Sequence, residues 1–320
     1  MSGWYYRYLL GEKFAVRTNS HGFADVERSV AASRPRIALI GDSTTEFWEV
    51  DEPARGQFVL EEYLGGRYEV LNMGVRAYGT DQTYLLFAGE GVRFSPDIVV
   101  YTFCVNDIND NARKNGKPYF ELVPGQADSL ELRNFPVETP RNWEKFGIIR
   151  ERSFVYRLCL DARNQLMPGI RIRQLLGRYV PPPPHFELAY FKREYTERDR
   201  GRMDLTLALI SKLDEFVTGR GMHFLVVEGI YKSMASSKKR RGVTGVFGDQ
   251  FDPDKVSAIL DDYCRREGIA FLSLPRAAAA DGVEPSTLMH TRDNLHLDAA
   301  GVRFYARQVA DKLQNLGWVE

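Results

Sequence analysis

Four short stretches hold residue types that can do chemistry together: Gly41-Asp42-Ser43, Asn72-Met73-Gly74, Val105-Asn106-Asp107 and Asp293-Asn294-Leu295-His296. They supply a hydroxyl, backbone donors, an amide, a carboxylate and an imidazole, which is the set that acyl transfer needs. A serine hydroxyl is weakly nucleophilic at neutral pH until an imidazole takes its proton, and a carboxylate must hold the other ring nitrogen. Asp293 and His296 are three residues apart, so one short turn can present both to the same point. Asp293 would then reach the Nδ1 proton while Nε2 faces Ser43. A tetrahedral oxyanion needs donors in turn, which the Ser43 and Gly74 amides and the Asn106 side chain can provide.

These stretches require elements that bring them to one place. Arg36 to Ile40, RIALI, is a short apolar run ending at Gly41, and Tyr68 to Gly74 repeats that pattern of strand and turn. Asp97 to Phe103, His223 to Gly229 and Ile269 to Leu274 complete five β-rich runs without strict polar alternation. Parallel strands covered on both faces read this way. Leu205, Leu209, Leu213 and Phe216 recur at helix spacing, as do Val302, Tyr305, Val309, Leu313 and Leu316 after an N-cap at Asp298. Alternating strands and helices predict an α/β fold: a doubly wound, flavodoxin-like five-stranded parallel sheet with helices on both faces. In such sheets ligands bind outside the carboxyl ends of the strands, where the first three chemical stretches fall.

The expected organisation is an N-terminal lead-in over residues 1–35 and one domain over 36–320. Two segments interrupt that domain. The longer, about 108–190, contains a hairpin around Pro124 to Gly125 and the Pro181 to Pro184 run, and is expected to form a cap over the site. The shorter, about 232–248, follows a strand and is rich in Ser, Gly and basic residues, as surface loops are. Within it, Lys238 to Arg241 would ordinarily be solvated, although a loop leaving the carboxyl end of a strand can also meet a phosphate or a sugar acid.

In order and content the blocks resemble the SGNH hydrolases, also called GDSL esterases and lipases. IALIGDSTTEF is similar to the nucleophile block, LNMGVRAYGTDQ to the glycine block, FCVNDIND to the asparagine block and DNLHLDAAG to the D-x-x-H block. The resemblance spans Ile37 to Gly301, and TNSHGFAD upstream is similar to a lead-in of a bacterial branch. It implies Ser43 as nucleophile, Asp293 and His296 as its partners, and Ser43, Gly74 and Asn106 as the oxyanion hole. One position departs from the pattern: Cys104 stands where the asparagine block usually has Gly, which bears on the backbone path around Asn106.

The simpler readings differ residue by residue. Alone, Ser43 would be a helix cap, and Asp293 or His296 a loop residue; four blocks in order outweigh that. Asp42 is expected to fix the turn through its side chain. Trp48 and Tyr78 follow the nucleophile and glycine blocks closely enough to line a substrate pocket. Asp107-x-Asn109-x-Asn111 begins like a calcium loop, but Ala112 and Pro118 replace the Gly and Glu it needs, and the other histidines are scattered, so no metal or other cofactor is expected.

Composition narrows the function further. The 320 residues carry 43 Lys plus Arg against 43 Asp plus Glu, so no global field would gather nucleic acid. Cys104, Cys159 and Cys264 form no C-x-x-C pair, which fits a reducing compartment. Arg7 and Lys13 interrupt any apolar stretch at the N-terminus and no run is long enough to span a membrane, so a cytoplasmic protein is expected. The expected activity is a serine esterase that removes a short acyl group, such as acetyl, from an oxygen of a sugar or small metabolite through an acyl-serine. Its alternatives are an acyltransferase using the same acyl-serine and a catalytically silent binding protein on the same fold. A G-x-S-x-G hydrolase is disfavoured because no such pentapeptide occurs.

Overall fold

The computed structural model describes residues 3–9, 12–114, 116–126, 129–137, 186–236, 250–290 and 295–320. Its centre is a five-stranded all-parallel sheet of β3 (Arg36–Gly41), β4 (Glu69–Asn72), β5 (Ile98–Phe103), β8 (His223–Glu228) and β9 (Ala270–Ser273). The strands lie side by side in the order β4-β3-β5-β8-β9. The first strand of the sheet therefore sits between the second and third, the flavodoxin-like order, and the switch point lies between β3 and β5. In register, Ile37 faces Ile98 and Gly41 faces Thr102, so the ends of β3 and β5 are level.

Alternation along the strands sorts the core into two layers. Ala38, Ile40, Val99, Tyr101, Phe224 and Val226 point to one face. The helices Glu197–Thr218 and Lys255–Glu267 cover it with Ile210, Leu213, Val217, Val256 and Leu260. Ile37, Leu39, Ile98, Val100, Leu225 and Val227 point to the other. There α2 (Gly56–Tyr63) and the last helix, Ala299–Asn315, supply Val59, Leu60, Val302, Tyr305, Val309 and Leu313. Burial on both faces is why these strands read as continuous apolar runs. The described helices include none long and apolar enough to cross a membrane.

Within residues 1–35 the chain forms an antiparallel hairpin, β1 (Gly3–Leu9) with β2 (Glu12–Thr18). The sequence reading had only a lead-in there. Its end is fastened to the domain: Arg55 Nη2 donates to the Ala15 carbonyl at 2.9 Å, Arg17 pairs with Glu52 at 2.8 Å, and Val16 is buried with Ala24 and Trp48.

The second hairpin, β6 (Tyr119–Leu122) with β7 (Leu130–Arg133), surrounds Pro124 and Gly125. Phe120 is buried edge-on against Tyr84 of α3 (Thr80–Gly89), with ring centroids 5.8 Å apart. Lys117 Nζ donates to Asp81 Oδ2 at 2.6 Å and to the Asp110 carbonyl at 2.7 Å. The hairpin is thus packed on helices. Residues 138–185 of the expected cap, with Pro181 to Pro184 and Cys159, lie outside the described residues. So does the basic run Lys238 to Arg241.

Candidate active site

Ser43 opens a single helical turn, α1 (Ser43–Glu46), directly after β3. The reversal is tight, because Gly41 has a φ of 152°, and a Cβ there would lie 2.4 Å from Thr45 Oγ1 and 2.9 Å from the Thr102 carbonyl. Asp42 caps the turn: its Oδ1 accepts from the Thr44 N–H at 2.8 Å and from the Thr44 hydroxyl at 2.7 Å. That is the scaffolding role expected of it, and it uses one carboxylate oxygen. As first residue of its helix, Ser43 keeps an N–H with no intrahelical acceptor. Phe47 ends the turn in the left-handed region, at a φ of 51°.

The imidazole arrives from the far end of the chain. Met289 and Leu297 form an antiparallel bridge, and the His290 N–H donates to the His296 carbonyl at 3.3 Å. Two residues on, Asp298 caps the last helix by accepting from the Gly301 N–H at 3.0 Å. A bridge on one side and a cap on the other fix the loop, and His296 Nε2 comes within 2.9 Å of Ser43 Oγ. These atoms are 253 residues apart in sequence. Asp293 lies outside the described residues.

A second carboxylate, which the sequence reading did not weigh, stands at this pair. Glu49 is 2% exposed, and its Oε1 is 3.3 Å from His296 Nε2. It follows Trp48, whose ring meets the His296 ring edge-on at 6.4 Å. No motif spacing marks Glu49; only the left-handed turn at Phe47 brings it back under the imidazole.

Asn106 and Gly74 are placed less simply than expected. Asn106 Nδ2 donates to Asp42 Oδ2 and to Asp110 Oδ2, both at 3.0 Å, so two carboxylates hold both amide hydrogens. A third, Asp107, lies beside them and accepts from the Tyr101 hydroxyl at 2.8 Å and the Cys104 N–H at 3.1 Å. Burial, reinforced by the charge of Asp42, holds the Asp107 carboxyl well above the usual range, and burial also raises Asp110. Cys104 is not among the residues with a positive φ, so a side chain there leaves the path around Asn106 undisturbed.

Gly74 was expected to donate its N–H to an oxyanion, but that N–H goes to Asn72 Oδ1 at 2.9 Å. What Gly74 provides is closeness. A Cβ on it would lie 2.5 Å from the Glu46 nitrogen and 2.7 Å from the Thr45 carbonyl carbon, so the glycine lets this loop press against the serine turn.

Ser43, Asn106 and His296 open into one cavity of about 460 Å³. Asn109, Asp110, Arg113 and Glu187 come to it from the two ends of the long insertion. The described hairpin gives it no residue, and Phe120 packs on Tyr84. Trp48 and Tyr78 do not line the cavity either. Trp48 is buried beneath Arg76, whose guanidinium lies 5.5 Å from its ring, and so supports the site from behind.

No protein-family model matches the chain, and no curated protein sequence matches it. Among solved structures it is similar to a GDSL-like lipase from Bacteroides thetaiotaomicron, at 11% identity over 90% of this chain and 93% of that one, with a TM-score of 0.45. It is similar also to a catalytic mutant of an acetylxylan esterase from Geobacillus stearothermophilus, at 12% identity over 91% and 99%, with a TM-score of 0.46. A third similar structure is a carbohydrate acetylesterase from Sinorhizobium meliloti, at 13% identity over 88% and 100%, with a TM-score of 0.44.

Proposed function

We propose that the chain is a serine esterase of the SGNH type, which removes a short acyl group from an oxygen of a sugar or small metabolite. The observation that carries this is the 2.9 Å contact between Ser43 Oγ and His296 Nε2 in the wall of an open cavity. A serine only 9% exposed yet lining a cavity, with an imidazole in hydrogen-bond reach, has the geometry of an activated nucleophile.

In this reading His296 takes the hydroxyl proton as Ser43 attacks the acyl carbon. The C–O bond to the alcohol breaks, His296 returns the proton to the leaving oxygen, and water then releases the acyl group from Ser43 by the same steps. Asp293, three residues before His296, is proposed to hold Nδ1. The Ser43 N–H and the Asn106 amide are proposed as oxyanion donors; Asn106 serves once the oxyanion replaces Asp110 on one of its hydrogens.

A panel of p-nitrophenyl esters of increasing acyl length, run beside acetylated sugars, tests the reading. Ester turnover that favours short chains and falls by about 10³-fold or more in Ser43→Ala is expected. Turnover within about tenfold of the parent would end it.

A further inference from the structure

The described residues that line the cavity include four arginines, Arg76, Arg113, Arg198 and Arg202, against two carboxylates, Asp110 and Glu187. The Asp110 carboxylate is already taken, by Arg113 at 2.8 Å and by the Asn106 amide. Arg76, Arg198 and Arg202 make no ion pair among the described residues. Arg76 lies over Trp48, and Arg202 donates from Nη1 to Asn109 Oδ1 at 2.7 Å. This excess stands in a chain whose charges otherwise balance at 43 and 43.

Stability does not account for the placement. Arg198 lies in the first turn of the helix Glu197–Thr218, where the helix dipole disfavours cations, and Arg202, four residues on, puts a like charge on the same face. Arg76 sits at the second position of a turn closed by the Tyr78 N–H on the Val75 carbonyl at 3.2 Å. The third position, Ala77, has a φ of 63°, where Gly would be unstrained. The fold thus keeps three unpaired cations beside one nucleophile at local cost, as sites that act on charged ligands do. Asn109 adds a buried Nδ2 that donates to nothing among the described residues.

We propose that the substrate is an ester carrying a carboxylate or a phosphate on its alcohol or acyl part, and that Arg76, Arg198 and Arg202 bind that anion. This rests on the serine-esterase reading for the reaction, though not for the binding.

The test has two arms. In the first, acetate esters of methyl glucoside, methyl glucuronoside and glucose 6-phosphate are compared, as neutral, carboxylate and phosphate forms of one scaffold. The expected kcat/KM for one of the anionic esters exceeds the neutral one by about tenfold or more at low salt, and the margin shrinks as salt is raised. Arg198→Gln with Arg202→Gln should remove most of that margin. Equal kcat/KM for all three esters, or a margin untouched by the substitutions, would overturn the proposal. In the second arm Ser43→Ala is titrated calorimetrically with glucuronate and with inorganic phosphate. Salt-sensitive binding that is lost with the two arginines supports the site, and no binding of either anion overturns it. Anion binding without turnover of any ester would instead overturn the esterase reading and leave the anion site standing.

Discussion

Glu49→Gln removes a buried charge from the imidazole without changing the size of the side chain, and its effect should depend on pH. With Oε1 at 3.3 Å from His296 Nε2, Coulomb's law gives about 1 kcal/mol in surroundings like water and about 5 kcal/mol at an effective dielectric of 20. Opposite charges this close shift a titration by about 1 to 3 pH units in proteins, which is about 1.4 to 4 kcal/mol and falls within that range. The carboxylate favours the imidazolium, which forms when His296 takes the serine proton, and it therefore strengthens the base. Gln at this position should weaken the base and move the acidic limb of the kcat/KM profile to lower pH by about 1 to 2 units. The plateau above that limb should fall by about tenfold. The assay is kcat/KM for an acetyl ester from acidic to alkaline pH, for parent and variant, with circular dichroism confirming the fold. A variant profile that is scaled down uniformly, with its limb in the parent position, would refute the reasoning and leave Glu49 a merely structural neighbour of Trp48.

Three further outcomes follow from the geometry. Asn106→Ala should lower kcat by about 2 to 4 kcal/mol in barrier with little change in KM, and should also lower stability by about 1 to 3 kcal/mol, because Asp42 and Asp110 lose their shared donor; a pure KM effect would contradict it. Gly74→Ala should destabilise the fold by about 1 to 3 kcal/mol and depress kcat, since the new methyl meets the backbone of the serine turn, and thermal unfolding with steady-state kinetics checks both. Burial pushes the Glu228 carboxyl up to about 7 although Ser257 and Ser273 donate to it. The unfolded chain releases that proton near 4.5 and the folded chain near 7, so this group's contribution is intact below about 4.5 and is lost as pH rises to about 7, by about 3 kcal/mol. Glu228→Gln should flatten that decline in urea unfolding, and an unchanged slope would count against it.

Much of the fold was legible because the sheet is buried on both faces. A strand such as β5, with all six residues covered, can only be a continuous apolar run, and the polar residues after β3 and β5 mark the edge where the cavity opens. The N-terminal hairpin was not legible. Its residues, GWYYRYL and EKFAVRT, are separated by Leu10-Gly11, which is not one of the strong two-residue turn pairs, and what fastens it, Arg55 on the Ala15 carbonyl, is a tertiary contact. Ser43 and His296 could be singled out because each belongs to a short motif with its own spacing. Glu49 and the arginines could not. Residues 76, 198 and 202 share a cavity only through the order of the strands and the placing of one helix, and no local pattern encodes that. At Gly74 the position was legible but its partner was not: the Asn72 side chain two residues earlier accepts the hydrogen that the sequence assigns to an oxyanion.

The central claim is that an acyl group passes through Ser43, and trapping the intermediate tests it most directly. The parent protein is mixed with p-nitrophenyl acetate, quenched in acid during the first turnovers, digested, and read by peptide mass spectrometry. The account predicts one acetylated peptide, the one containing Ser43, with the modification accumulating in His296→Ala only slowly or not at all. An acetyl group found on another residue, or full ester turnover by Ser43→Ala, would contradict it.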